Sequence, residues 1–199
     1  MYTPNAPTVR GKTVTTENGG GRLVLTCLSS NVSINPVGGR VYKSNGSYDC
    51  INSSNYLLNG QQLLPYNKYE DDGHWGRVEI VSTARASAVT FMNVLYVTDK
   101  GNESTVETKK VSKPDGVEGL IFDGKIAVIF ATDREGAQSE ISCRAYGDGE
   151  MSYYVSGVAP GRWKVTVDGE SCGIYTATED GRLLTFTAPS GSIVITPVK

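Results

Sequence analysis

The sequence predicts an all-β protein, an antiparallel β-sandwich with room for two packed sheet systems. Three observations carry that expectation. Short β-rich runs recur along the whole chain, strong turn signals separate them about every 8–12 residues, and no segment sustains the roughly 3.6-residue apolar period of a helix.

In the first half, Lys12–Thr16 and Arg22–Leu28 are β-rich runs joined by Asn18-Gly19-Gly20-Gly21, which reads as a hairpin. Gly76–Val81 alternates apolar and polar side chains, as a half-buried strand does. Ala88–Val97 is apolar on both faces towards its end, which suggests a more central strand. In the second half, strands are expected over 117–122, 125–131, 139–146, 151–156, 162–167, 173–178, 183–187 and 192–196. Their separators are Asp123-Gly124, Asp148-Gly149, Pro160-Gly161, Asp168-Gly169, Asp180-Gly181 and Ser190-Gly191.

Two segments break the pattern. Residues 42–75 are rich in Asn, Ser, Gly and Tyr and read as a long loop, of a length that usually serves function or packs as an Ω-type excursion. Residues 99–116 read as a boundary. The expected domains are therefore 1–100, a β-sandwich part, and 115–199, a C-terminal antiparallel β-sheet domain.

Composition narrows the function. An apolar share of 39% with 20% charged residues fits a globular protein and not a disordered one. The longest apolar run, Ile126–Ala131, is too short to cross a bilayer, and the N-terminus has no basic start with an apolar stretch behind it, so no signal peptide is expected in this chain. The 19 basic residues are scattered and the net charge is −2, which argues against nucleic acid as a partner. Cys27, Cys50, Cys143 and Cys172 contain no C-x-x-C pair, so no zinc pattern and no metal or other cofactor is expected. Cys27 with Cys50 and Cys143 with Cys172 would be the economical disulfides. Free buried thiols acting as small apolar residues are the alternative.

Several phrases resemble one known family. Gly21–Leu28, the Val37-Gly38-Gly39 turn, His74–Ile80 and Phe91–Leu95 follow the order and spacing of the C-terminal β-region of heparinase II/III-like polysaccharide lyases. That region carries a Gly-Arg-Leu strand, a Val-Gly-Gly turn, a Trp-Arg-Ile-Glu-like strand and a Phe-Leu-x-Val-Leu strand. Val158–Trp163 and Asp180–Phe186 are similar to its last sheet. One departure is Gly76, which separates Trp75 from Arg77 where the family pattern joins them.

The resemblance implies a bacterial lyase that cleaves an acidic, uronate-containing polysaccharide by β-elimination and is periplasmic or secreted. It also implies an N-terminal α/α toroid that carries the catalytic Tyr, His and Asn or Glu and has no counterpart here. This chain would then be non-catalytic, supporting the toroid and lining the substrate cleft. A free-standing carbohydrate-binding module and a structural β-domain of a surface protein are the alternatives.

Elimination needs a base for the proton alpha to the carboxylate, a group that neutralises the carboxylate, and an acid for the leaving oxygen. His74 is the only histidine and so the only side chain with an unperturbed pKa near neutrality. It stands without a partner set and is a weak catalytic candidate. Glu70, Asp71 and Asp72 beside it read as a solvated run and not as calcium ligands.

For carbohydrate, the candidates are Trp75, Trp163, Tyr66, Tyr69 and Arg77. Indole and phenol rings can stack on a pyranose, and a guanidinium can pair with a uronate. The alternation of Trp163 with Val165 and Val167 points to core packing instead. Tyr66 and Tyr69 could line a groove or anchor the 42–75 loop.

Overall fold

The computed structural model describes residues 2–3, 5–38, 41–42, 48–49, 55–56, 62–63, 76–87, 89–102, 106–133 and 135–198. The described residues contain strands and turns and no helix. They divide into two compact units, Met1–Ser104 and Thr105–Lys199.

In the first unit, β1 (Tyr2–Thr3), β2 (Thr8–Arg10), β3 (Thr13–Asn18), β4 (Gly21–Cys27) and β5 (Val32–Gly38) come first. The short pairs β6 (Val41–Tyr42) with β7 (Tyr48–Asp49) and β8 (Asn55–Tyr56) with β9 (Gln62–Leu63) follow, then β10 (Gly76–Ser82) and β11 (Asn93–Asp99). One sheet runs β11-β4-β3-β2 and another β1-β10-β5. The Asn-Gly-Gly-Gly segment makes the expected hairpin, with Asn18 facing Gly21 and Gly19 at φ 54, a left-handed conformation that glycine adopts freely. Val14, Leu25 and Cys27 form a small core with Val78 of β10, flanked by half-buried Val32, Ile34 and Ile80.

Two expectations change in this unit. Strand β11 starts at Asn93, later than the apolar run that begins near Ala88, and it ends its sheet instead of lying centrally. Leu95 and Val97 are 58% and 73% exposed, so apolar residues on both faces of a run did not report burial on both faces. Secondly, the 42–75 segment is not a plain loop, since it contains the β6–β9 ladders.

The second unit is built from β12 (Thr108–Lys110), β13 (Ser112–Asp115), β14 (Val117–Phe122), β15 (Ile126–Ala131), β16 (Ile141–Ser156), β17 (Gly161–Val167), β18 (Glu170–Ala177) and β19 (Leu183–Pro197). Asp168-Gly169 is a two-residue turn between Val167 and Glu170, with both residues at positive φ (50 and 88), the geometry that matches strand twist in a tight hairpin. Asp123-Gly124, also at positive φ (47 and 61), opens the short 123–125 connection between Phe122 and Ile126. By contrast, Asp148-Gly149 and Ser190-Gly191 end no strand. β16 runs 16 residues and β19 runs 15, each continuous through a segment that the sequence suggested was a turn.

These two strands pair along their length, and the register shifts between Ala145 and Glu150. The first part of β16 pairs with β13 and the later part pairs in parallel with β15. The last part of β19 pairs also with β17. The two strands therefore fold over at residues 146–150 and 189–191 and contribute to both layers. One layer is β12-β14-β15 with the C-terminal part of β16 and the N-terminal part of β19, and the other is β13 with the N-terminal part of β16, then the C-terminal part of β19, β17 and β18. The parallel β15–β16 pair departs from the all-antiparallel expectation. It is possible because residues 132–150 cross through the second layer, which gives the long connection that parallel strands need.

One core fills the space between these layers. Ile121, Ile129, Met151, Tyr153, Val155, Trp163, Val165, Leu184, Ile193 and Ile195 are nearly or fully buried in it. Inward positions alternate along each strand: Ile141, Cys143 and Ala145, then Met151, Tyr153 and Val155 on β16. On β19 they are Leu184, Phe186 and Ala188, then Ile193 and Ile195. The phase on β19 changes at Ser190, where the strand kinks.

Candidate functional site

Of the sequence-derived candidates, Arg77 and Trp163 lie among the described residues. His74, Trp75, Tyr66 and Tyr69 lie outside the described residues, as do Glu70, Asp71 and Asp72. Arg77 sits on β10, half-buried, with Nε donating to Glu79 Oε1 at 2.6 Å. Two residues apart on one strand, they share a face, so part of this guanidinium is already committed to a carboxylate.

Trp163 is a core residue and not a stacking platform. It is 1% exposed, and its indole Nε1 donates to Ala159 O at 2.9 Å, which satisfies the one polar atom that burial would otherwise strand. The alternation with Val165 and Val167 already carried that outcome. The thiols of Cys27, Cys143 and Cys172 are free, so neither economical disulfide forms. Cys143 is buried, and burial pushes its pKa up to about 11, as expected for a thiol used as a small apolar residue. Cys50 lies outside the described residues.

The sequence reading missed a cavity in the second unit. An open cavity of about 360 Å³ lies where β16 and β19 fold over. Its walls come from β12, the 123–124 turn, the 144–148 bend, Asp168 and the Ser190-Gly191 kink. Close backbone approach makes this geometry possible. A Cβ on Gly147 would collide with the carbonyl oxygen of Gly124, and one on Gly191 with Oδ2 of Asp168. The two dipeptides that looked like turn signals belong to the folded-over segments that form this hollow. Glycine at a bend and glycine in a hairpin carry the same local signature, so sequence alone had no means to separate them.

Charge in the cavity is uneven. Lys109 is paired with Glu107 at 2.8 Å on its rim. Asp123 Oδ1 accepts from the backbone N–H of Glu107 at 2.7 Å, and Asp168 Oδ1 accepts from that of Ser192 at 2.9 Å. Asp148 also lines the wall, and Arg144 is the remaining cation. The guanidinium of Arg144 lies 5.3 Å from the ring centroid of Tyr146, a cation–π distance. Tyr146 is 49% exposed and accepts a hydrogen bond on its hydroxyl from Ser112 Oγ at 3.0 Å. No group of three or more His, Cys, Asp or Glu side chains capable of holding a metal ion occurs among the described residues.

No helix among the described residues is long and apolar enough to cross a membrane. No curated protein matches the chain. Residues 110–197 match the family described as the heparinase II C-terminal domain, a span that runs from β12 through β19. The C-terminal region of this chain, residues 110–197, is heparinase-like.

Proposed function

We propose that this chain is the non-catalytic β-portion of a polysaccharide lyase that acts on an acidic, uronate-containing polysaccharide. In this reading it supports a separate helical catalytic domain and lines one side of the substrate cleft. The parent protein works in the periplasm or outside the cell, where such polysaccharides are met. The observation that carries the reading is the match of residues 110–197 to the heparinase II C-terminal domain.

Chemistry points the same way. Elimination requires an acid and a base poised near neutrality. The groups in the second unit with clearly raised pKa values, Cys143 and Tyr153, are core residues held neutral by burial, so they serve packing. The test is to incubate the purified chain with uronate polysaccharides and follow the ultraviolet absorbance of the unsaturated product. No turnover is expected from the chain alone, and activity is expected once a helical toroid domain encoded with it is present. Robust turnover by the chain alone overturns the non-catalytic reading.

A carbohydrate-binding module is the second reading, favoured by the cavity beside Tyr146. It predicts glycan affinity without any catalytic domain.

A further inference from the structure

We propose that the cavity at the fold-over of β16 and β19 is a binding subsite for a neutral, hydroxyl-rich sugar residue, with Tyr146 as its platform and Asp148, Asp168 and Arg144 as its polar contacts. This site stands independently of the lyase reading, because it is argued from the cavity's own walls.

Size is the first argument. A hollow of about 360 Å³ falls in the ~300–1,000 Å³ range of small-molecule sites. Preorganisation is the second. Tyr146 is held from two sides, by Ser112 Oγ at its hydroxyl and by the Arg144 guanidinium against its ring, yet it stays 49% exposed. A ring already fixed before a ligand arrives loses little conformational freedom on binding, and an aromatic face packs well on the C–H side of a pyranose.

Unused hydrogen-bonding capacity is the third argument. Asp123 and Asp168 each spend Oδ1 on a backbone N–H, which holds the carboxyl group in place and leaves Oδ2 for a ligand. Arg144 lines the same cavity, and its guanidinium carries several N–H donors. Acceptors in fixed positions and a guanidinium in one cavity suit vicinal hydroxyls, which both donate and accept.

Charge selects among sugars. With Lys109 and Glu107 cancelling each other, three carboxylates face one guanidinium, so a uronate or sulfated residue would meet net repulsion. The carboxylates are also not grouped as a metal site. A neutral pyranose avoids both penalties. The subsite would hold an uncharged residue of a glycan, or an uncharged glycan altogether.

The test is calorimetric and amide-shift titration of the full chain with cellohexaose, maltohexaose and N-acetylchitohexaose, with oligogalacturonate and calcium chloride as counter-probes. Saturable binding of at least one neutral hexasaccharide is expected, with shifts centred on residues 144–148 and 168. Tyr146→Ala should weaken it roughly tenfold, and Asp148→Asn, which keeps the side-chain shape, should weaken it measurably. Tyr154→Ala is the control, because Tyr154 is comparably exposed, at 42%, and does not line the cavity. The proposal is overturned if none of the neutral probes saturates, if Tyr154→Ala weakens binding as much as Tyr146→Ala, or if oligogalacturonate or calcium binds these residues more tightly.

Discussion

Tyr153 and Phe186 face each other directly across the β16–β19 ladder, and their rings stack with centroids 4.9 Å apart and planes within 13°. Tyr175 from β18 leans on the same Phe186 at 5.2 Å. The Tyr153 hydroxyl escapes the core by donating to Pro189 O at 2.9 Å, next to the kink in β19. One aromatic thus joins the packing of the core to the geometry of the bend.

Tyr153→Phe keeps the stack and removes the hydroxyl that caps Pro189 O. A loss of about 1 kcal/mol is expected from chemical denaturation. Phe186→Ala removes the ring shared by two tyrosines and should cost about 3–5 kcal/mol. Equal losses for the two variants would show that the hydroxyl, and not the ring, dominates.

Trp163→Ala should destabilise the second unit by about 3–5 kcal/mol, because it empties a fully buried site and also abandons Ala159 O. Trp163→Phe should recover most of the volume but not the hydrogen bond. Denaturant midpoints decide this, and an unchanged midpoint for Trp163→Ala would contradict the core placement.

Stability should fall on the alkaline side. Cys143 has its pKa raised from 9.0 to about 11 by burial, so the folded state holds the thiol proton more tightly than the unfolded state does. The contribution is complete below pH 9.0 and is lost as pH climbs towards about 11. Each unit of pH in that window removes at most about 1.4 kcal/mol through this group. Tyr153, raised by burial first and by nearby negative charge second, adds to the decline at higher pH. Cys143→Ala should flatten the slope of unfolding free energy against pH just above 9.0, and an unaltered slope would remove Cys143 as its source.

Gly147→Ala should destabilise by about 1–3 kcal/mol or more, because its Cβ must displace the Gly124 carbonyl and the Met151 side chain. Gly149→Ala meets no neighbour, and its penalty should be the smaller one set by the positive φ of 74. Thermal melting of the pair separates the two causes, and equal shifts would deny the close approach at 147.

Much of the second unit was legible in the sequence because its strands alternate strictly, as Trp163, Val165 and Val167 do, and because Asp-Gly pairs mark its tight hairpins. Strand β5 was missed, since Val32-Ser33-Ile34-Asn35 is short and ends in Pro36, a residue usually read as a breaker. β12 and β13 were also missed: their Lys, Thr, Ser and Asp side chains look like linker, and only pairing with Leu120–Phe122 and with Ser142–Arg144 makes them strands. The cavity was out of reach of any local reading. Lys109, Asp123, Tyr146, Asp168 and Gly191 meet only because β16 and β19 fold over together, a relation between residues more than forty positions apart.

β19 is the last strand of its unit, yet it is paired on both sides, with β16 on one edge and with β17 on the other. β16 and β17 therefore wait for it during synthesis. Until residues 183–197 have left the ribosome, β16 and β17 expose open edges and Tyr153, Met151 and Val165 have no lid. The unit is expected to stay chaperone-dependent while nascent and then to close late, in a single step set by long-range pairing.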